Sequence, residues 1–110
     1  MKVAVIGSRS ITSYPLEKVI PADVTEIISG GARGVDALAR EYALAHGIPL
    51  TEIRPDYARY GKSAPLRRNE EIVARADLVI ALWDGQSSGT AHVINQCKKI
   101  GKPFSLITGT

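Results

Sequence analysis

The chain has 110 residues, 45% of them apolar and 23% charged, a composition that excludes a disordered chain and fits one globular domain over residues 1–110. Fourteen Lys and Arg against eleven Asp and Glu leave a net charge of +3. That balance admits phosphate-bearing partners but falls short of the basic excess of an obligate duplex-DNA binder. Cys97 is the only cysteine, so an intrachain disulfide and a Cys-based zinc site are both excluded.

The segment Met1–Ser8 carries one Lys and an apolar run too short for a signal peptide or a membrane span. With no lipidation signal in view, the expectation is a cytoplasmic protein without a membrane partner. Lys2–Ile6 reads as the first of five short strands. The others are Val24–Ser29, Leu50–Arg54, Leu78–Trp83 and Phe104–Ile107. The second and fourth are nearly continuous apolar runs, as strands covered on both faces require. A short helical turn is expected after Pro15. Longer helices are expected over Gly34–His46, Ala64–Ala76 and Gly89–Ile100. The first presents Val35, Leu38, Ala39 and Tyr42 on one face and stops at Gly47; the last presents Val93, Ile94 and Cys97 and stops at Gly101. Ser63 is placed to cap the middle one, with Pro65 in its first turn. Strands alternating with helices of this length predict an α/β fold. It would be a Rossmann-like three-layer sandwich on a five-stranded parallel sheet of order 3-2-1-4-5. Ligands of such sheets bind at the carboxyl ends of the strands, beside the switch in strand order.

The residues just beyond each strand are therefore decisive. Gly7-Ser8-Arg9 succeeds the first, giving close backbone approach, a hydroxyl and a guanidinium suited to phosphate. It lacks the further glycines of a dinucleotide fingerprint, so no NAD or FAD is expected. Ser29-Gly30-Gly31-Ala32-Arg33-Gly34-Val35-Asp36 ends the second strand and opens a helix. Its glycines suit an amide cradle for an anion, with Arg33 supplementing it. The alternative is a glycine-rich turn needed for close helix–sheet packing. Asp36 either caps free amides or accepts a ribose hydroxyl. After the third strand, Arg54, Arg59, Lys62, Arg67 and Arg68 are interleaved with Tyr57 and Tyr60, opposed by one acid, Asp56. Such a mixture suits phosphate contact and base stacking, or else a solvated loop. Arg68 and Asn69 stand apart because they reach the same rim. Asp84-Gly85-Gln86-Ser87-Ser88-Gly89-Thr90 comes after the fourth strand, a second hydroxyl-rich cradle leading into a helix. Trp83 either stacks on a base or packs at the strand end. No His/Asp/Glu group has metal-ligand spacing, and no cofactor is expected.

Val5-Ile6-Gly7-Ser8-Arg9, Ser29 to Asp36, Arg67-Arg68-Asn69 and the Asp84–Thr90 loop together resemble the SLOG superfamily, named for Smf/DprA and LOG, nearest its small stand-alone YspA/YpsA-like branch. The resemblance runs through nearly the whole chain. It implies binding of a phosphorylated nucleoside or nucleotide-derived small molecule, in sensing or nucleotide metabolism. The ligand would be held by Gly7, Ser8, Arg9, Gly30, Gly31, Arg33, Gly34, Asp36, Arg68, Asn69, Asp84, Gly85, Ser87, Ser88, Gly89 and Thr90. It implies a homo-oligomer as well, since relatives pair through helices beside the site. Two relatives imply alternatives. LOG-like enzymes hydrolyse the N-glycosidic bond of nucleoside 5'-monophosphates; Arg68 matches their arginine as the catalytic candidate. The position of their glutamate falls on Val93, which leaves enzymatic activity open. DprA-like proteins bind single-stranded DNA and share the S-G-x-A-R-G-x-D pattern. With a charge of only +3, single-stranded nucleic-acid binding by this chain would be weak and salt-sensitive.

Overall fold

The computed structural model describes residues 1–108. Five parallel strands form one sheet in the order β3-β2-β1-β4-β5: β1 (Lys2–Gly7), β2 (Glu26–Ser29), β3 (Leu50–Glu52), β4 (Leu78–Leu82) and β5 (Phe104–Ile107). Four helices accompany them: α1 (Val35–His46), α2 (Tyr57–Tyr60), α3 (Ala64–Arg75) and α4 (Ser88–Ile100), with 3-10 turns at Leu16–Lys18 and Gly61–Ser63. The expected Rossmann-like architecture and strand order are both present.

The strand pleat sends alternate β1 side chains to opposite faces, and this produces two cores. Val3 and Val5 pack with Ile27, Ile80 and Leu82 against Val35, Ala39 and Ala43 of α1, joined by Ile11, Leu16 and Ile20 from the segment after β1. Ala4 and Ile6 pack on the other face with Ile28, Val79 and Ala81 against Ile72 and Val73 of α3 and Val93, Ile94 and Cys97 of α4. The thiol of Cys97 is pushed up by that burial, as befits a core residue. α1 and α4 both end on left-handed glycines, Gly47 at φ 64° and Gly101 at φ 73°, whose amides close the last turn.

The elements are shorter than their apolar runs at several ends, for reasons of pairing. β2 starts at Glu26 rather than Val24, and β3 stops at Glu52 rather than Arg54, because Ser29 opposite Glu52 is the last paired position of β2. β4 stops at Leu82, opposite Gly7. Gly34 and Ala76 fall just outside their helices, whereas Ser88 joins α4. Ser63 flanks α3, but its hydroxyl donates to the Tyr60 carbonyl at 2.8 Å instead of capping the helix. α2 is an element the apolar pattern does not announce. Its signal is Pro55-Asp56, where the Asp56 carboxylate accepts from the Arg59 amide at 3.1 Å and so starts the turn. Among the described residues, no helix is long and apolar enough to cross a membrane.

Candidate functional site

The register of the sheet brings the ends of β1, β2 and β4 to one rim, and an open cleft of about 930 Å³ lies there. Its floor is apolar: Ile6, Ile72 and Val93, continued by Pro65 and Leu66 at the start of α3. Three guanidiniums line it, from Arg9, Arg33 and Arg68, with two carboxylates, Asp36 and Asp84. Gly7, Gly30, Asn69, Ser87, Ser88, Gly89 and Thr90 complete the predicted residues on its walls. Ser8, Gly31, Gly34 and Gly85 are not among the lining, and each has another task or lies away from the wall.

Ser8 is fully buried and holds three loops together. Its amide donates to the Leu82 carbonyl, its carbonyl accepts from the Ile11 and Val35 amides, and its hydroxyl accepts from the Asp84 amide at 3.0 Å. Gly34, at φ 74°, lies against the backbone of Ser8 and Arg9. A Cβ there would stand 2.5 Å from the Arg9 Cα and 2.6 Å from two carbonyl oxygens. The glycine is demanded by the packing of one loop on another.

Part of the expected ring of free amides in the β2–α1 loop is spent within the chain. The Gly31 amide donates to the Ser29 hydroxyl at 3.3 Å and the Ala32 amide to Asp36 Oδ2 at 3.1 Å. The Val35 amide is committed to the Ser8 carbonyl. Two arginines gather the loop's carbonyls instead. Arg68 Nη1 donates to the Gly30 carbonyl at 2.9 Å and to the Ile53 carbonyl at 3.3 Å, while its Nε donates to Asn69 Oδ1 at 2.9 Å. Arg54 Nη1 donates to the Gly31 carbonyl at 3.2 Å. A Cβ on Gly30 would stand 2.5 Å from Arg68 Nη1 and 2.9 Å from Asp36 Oδ2. That glycine therefore makes room for a guanidinium on one side and a carboxylate on the other. Burial pushes the Asp36 carboxyl above its ordinary value, partly opposed by the Ala32 amide and the Arg68 charge. Burial likewise lowers Arg68, with Asp36 opposing it.

The β4–α4 loop is organised by its own carboxylate. Asp84 Oδ1 accepts from the Gln86 amide at 2.8 Å and the Ser87 amide at 2.9 Å, and Oδ2 accepts from the Ser10 hydroxyl at 2.9 Å. Those bonds hold the Asp84 carboxyl down at about 2, so it is ionised at neutral pH. Ser87 caps α4, accepting from the Thr90 amide at 3.3 Å and the Thr90 hydroxyl at 3.1 Å. Among the described residues the next two amides, of exposed Ser88 and Gly89, meet no acceptor in the chain. They are the open positive end of a 13-residue helix. Trp83 is not offered to a ligand: its indole packs on the α3–α4 core and Nε1 donates to the Ser87 carbonyl at 3.0 Å. His92 and His46 lie outside the cleft lining; His46 stacks on Tyr42 and meets its carbonyl at 2.9 Å. Among the described residues no three His, Cys, Asp or Glu side chains gather where a metal ion would sit.

Sequence reasoning names Arg54 only as one of a basic stretch, whereas its guanidinium props the Gly31 turn. A signal exists, since Arg54 lies just beyond the strand beside Gly31, but a polar loop residue has no spacing that gives away its partner. The arrangement sets guanidiniums and open helix amides beside an apolar shelf, chemistry that can receive an anion.

Comparison with known proteins agrees with this architecture. A solved DNA processing protein A from Helicobacter pylori, described for its single-stranded DNA binding mode, superposes with a TM-score of 0.72 at 25% identity, over 96% of this chain and 64% of that one. The Gene 61 protein of Mycobacterium phage D29 is 39% identical over 83 residues, 70% of this chain and 66% of the phage protein. The chain thus spans just under two thirds of each relative's length. The family model of the YspA, cpYpsA-related SLOG proteins matches residues 1–60, from β1 through α2. With the Gly7-Ser8-Arg9 turn, the Ser29–Asp36 loop and the 3-2-1-4-5 sheet all in place, the chain belongs to the YspA, cpYpsA-related SLOG family.

Proposed function

We propose that the cleft binds a phosphorylated nucleoside or a nucleotide-derived small molecule. One observation carries the reading: Arg9 and Arg33 share a cleft of about 930 Å³ with the open N-terminus of α4 and an apolar floor. Phosphate oxygens would be met by the two exposed guanidiniums and the Ser88 and Gly89 amides. The carboxylate of Asp84, with one oxygen already accepting from two amides, offers its remaining lone pairs to ribose hydroxyls. The shelf of Pro65 and Leu66, backed by buried Ile72 and Val93, would take the base. Arg68 supports this site more than it grips the ligand, because its Nη1 and Nε are already bonded within the chain.

A screen of nucleoside mono-, di- and triphosphates by thermal denaturation tests the reading. A ligand at 100 times its Kd adds about 2.7 kcal/mol. Arg9→Ala and Arg33→Ala should each abolish that shift without lowering the melting temperature of the free protein. A nucleotide set that leaves the melting curve unmoved at millimolar concentration overturns the proposal.

The likeness to a DNA processing protein described for its single-stranded DNA binding favours a second reading, weak binding of a single strand along the same rim. Its mark is a steep loss of affinity with salt, about 0.7 in log K per phosphate for each decade. N-glycosidic hydrolysis has less behind it. Val93, at the position of the LOG-type glutamate, is a 2% exposed core residue and can move no proton, which leaves Asp36 and Asp84 as the carboxylates in the cleft. Release of free base from nucleoside monophosphates would establish it. Self-association, which the family resemblance suggests, is read by sedimentation with and without nucleotide.

A further inference from the structure

Beside the main cleft lies a second recess of about 290 Å³, between the end of β3, α2 and the first half of α3. Four arginines line it, Arg54, Arg59, Arg67 and Arg68, together with Tyr60. Arg68 lines both cavities, so the recess continues the cleft outward past that one side chain. Two acids stand against these four cations: Asp56, which accepts from the Arg59 amide, and Glu71, which makes an exposed pair with Arg75 at 3.6 Å. Arg54 donates to the Gly31 carbonyl and pairs with Glu52 at 3.5 Å, and Arg67 makes an exposed pair with Glu70 at 3.3 Å. Pairs of that kind contribute little and exchange readily for a phosphate. Among the described residues Arg59 has no carboxylate within 4.0 Å; its guanidinium lies 5.1 Å from the centre of the Tyr60 ring. Tyr60 is 38% exposed and Tyr57 61%. The exposed Tyr60 ring, beside Arg59 and Arg67 with no strong partner for either guanidinium, makes a platform for a base and a seat for its phosphate.

We propose that this recess receives a second nucleotide, so that the natural ligand carries at least two linked nucleotides, with the first in the main cleft. The inference rests on the nucleotide reading of that cleft and names its substrate class, a dinucleotide or short single strand. The second phosphate meets Arg59 and Arg67, and the second base stacks on Tyr60.

Calorimetric titration of the whole chain with dAMP, a 5'-phosphorylated dinucleotide and a twelve-residue oligo-dT tests this. The dinucleotide should bind about tenfold tighter than dAMP. The double variant Arg59→Ala, Arg67→Ala should erase that gain while leaving dAMP affinity within about twofold. The double variant Lys98→Ala, Lys99→Ala, on exposed α4 surface, controls for the loss of two charges. Tyr60→Ala should lose the gain and Tyr60→Phe keep it, because stacking needs the ring and not the hydroxyl. An oligo-dT that binds no better than the dinucleotide identifies a small-molecule ligand, and a further rise identifies a strand; either agrees with a second subsite. A dinucleotide no tighter than dAMP, or a gain that survives the double variant, overturns it. If dAMP alone binds, this inference fails and the cleft reading stands. If the dinucleotide binds through Arg59 and is indifferent to Arg9→Ala and Arg33→Ala, the cleft reading fails and the linked two-subsite proposal with it. Binding of neither overturns both.

Discussion

The two loops flanking the switch in strand order carry the same sequence signature and are built in opposite ways. In the Ser29–Gly34 loop the glycines admit neighbours: Arg68 and Asp36 against Gly30, Arg54 against Gly31, and the Ser8–Arg9 backbone against Gly34. In the Asp84–Ser87 loop a Cβ on Gly85 would meet nothing within 4 Å, and a carboxylate of the loop itself organises the amides. One loop is packed upon by its neighbours. The other faces solvent, tied by Asp84 to its own amides and to the hydroxyls of Ser8 and Ser10. Glycine content therefore marks close backbone approach without saying whether the approaching group is a ligand or the chain itself.

Alanine at the equivalent glycines separates the two most sharply. Gly34→Ala adds a left-handed strain to a clash with backbone that has nowhere to go, a loss of about 3 kcal/mol or more by chemical denaturation. Gly85→Ala, at φ 84° in open space, carries the strain alone, about 1 kcal/mol. Equal losses would mean that the first loop yields and is not packed as described.

Arg68→Ala ranks second in size. It removes a charged donor from the Gly30 and Ile53 carbonyls and leaves Asp36 with a poorer electrostatic environment. The expected loss is about 2 kcal/mol in unfolding free energy. Arg33→Ala, exposed and lining the cleft, should change stability by less than about 0.5 kcal/mol. A silent Arg68→Ala would reassign that side chain from strut to ligand contact.

Serine caps give a smaller contrast. Ser87→Ala removes the acceptor of the Thr90 amide and hydroxyl, for about 1 kcal/mol. Ser63→Ala, at a position that looks equally cap-like, should cost only a few tenths of that, since its hydroxyl serves the Tyr60 carbonyl and no α3 amide.

Ser63 marks the boundary of what the sequence discloses. The strands, the helices and the glycine stops at Gly47 and Gly101 come from periodicity and backbone preference, which are local properties of the chain, and strand order from the rules of crossover connection. The location of the rim comes from topology. Pairings across long separations stay hidden: Arg68 to Gly30, 38 residues apart, and Asp84 to Ser8 and Ser10, more than 70 apart. A hydrophobic pattern says that Arg68 faces the rim. It does not say that two carbonyls are waiting for it. Ser8 likewise reads as a ligand contact from its neighbours in sequence, whereas its full burial makes it the joint between three loops.

The smallest difference between the loops is in their response to acid, because Asp84 is fully exposed and its interactions are screened. Its carboxyl sits at about 2 in the folded chain against an ordinary 3.8. The stability it adds is present above 3.8 and lost as pH falls from there toward 2. Asp36 has the opposite sign. Burial raises it above 3.8, so the folded chain takes up that proton before the unfolded chain does. Stability is therefore gained as pH falls through the raised value toward 3.8, and is constant below it. Denaturation midpoints followed from pH 6 to pH 2 should rise first and then fall. Asp36→Asn should remove the rise and leave the fall. Asp84→Asn, which keeps an oxygen to accept from Gln86 and Ser87, should flatten the fall and leave the rise. If both substitutions altered the same limb, the two carboxylates would share one environment, and the distinction between a loop packed from outside and a loop tied by its own acid would not hold.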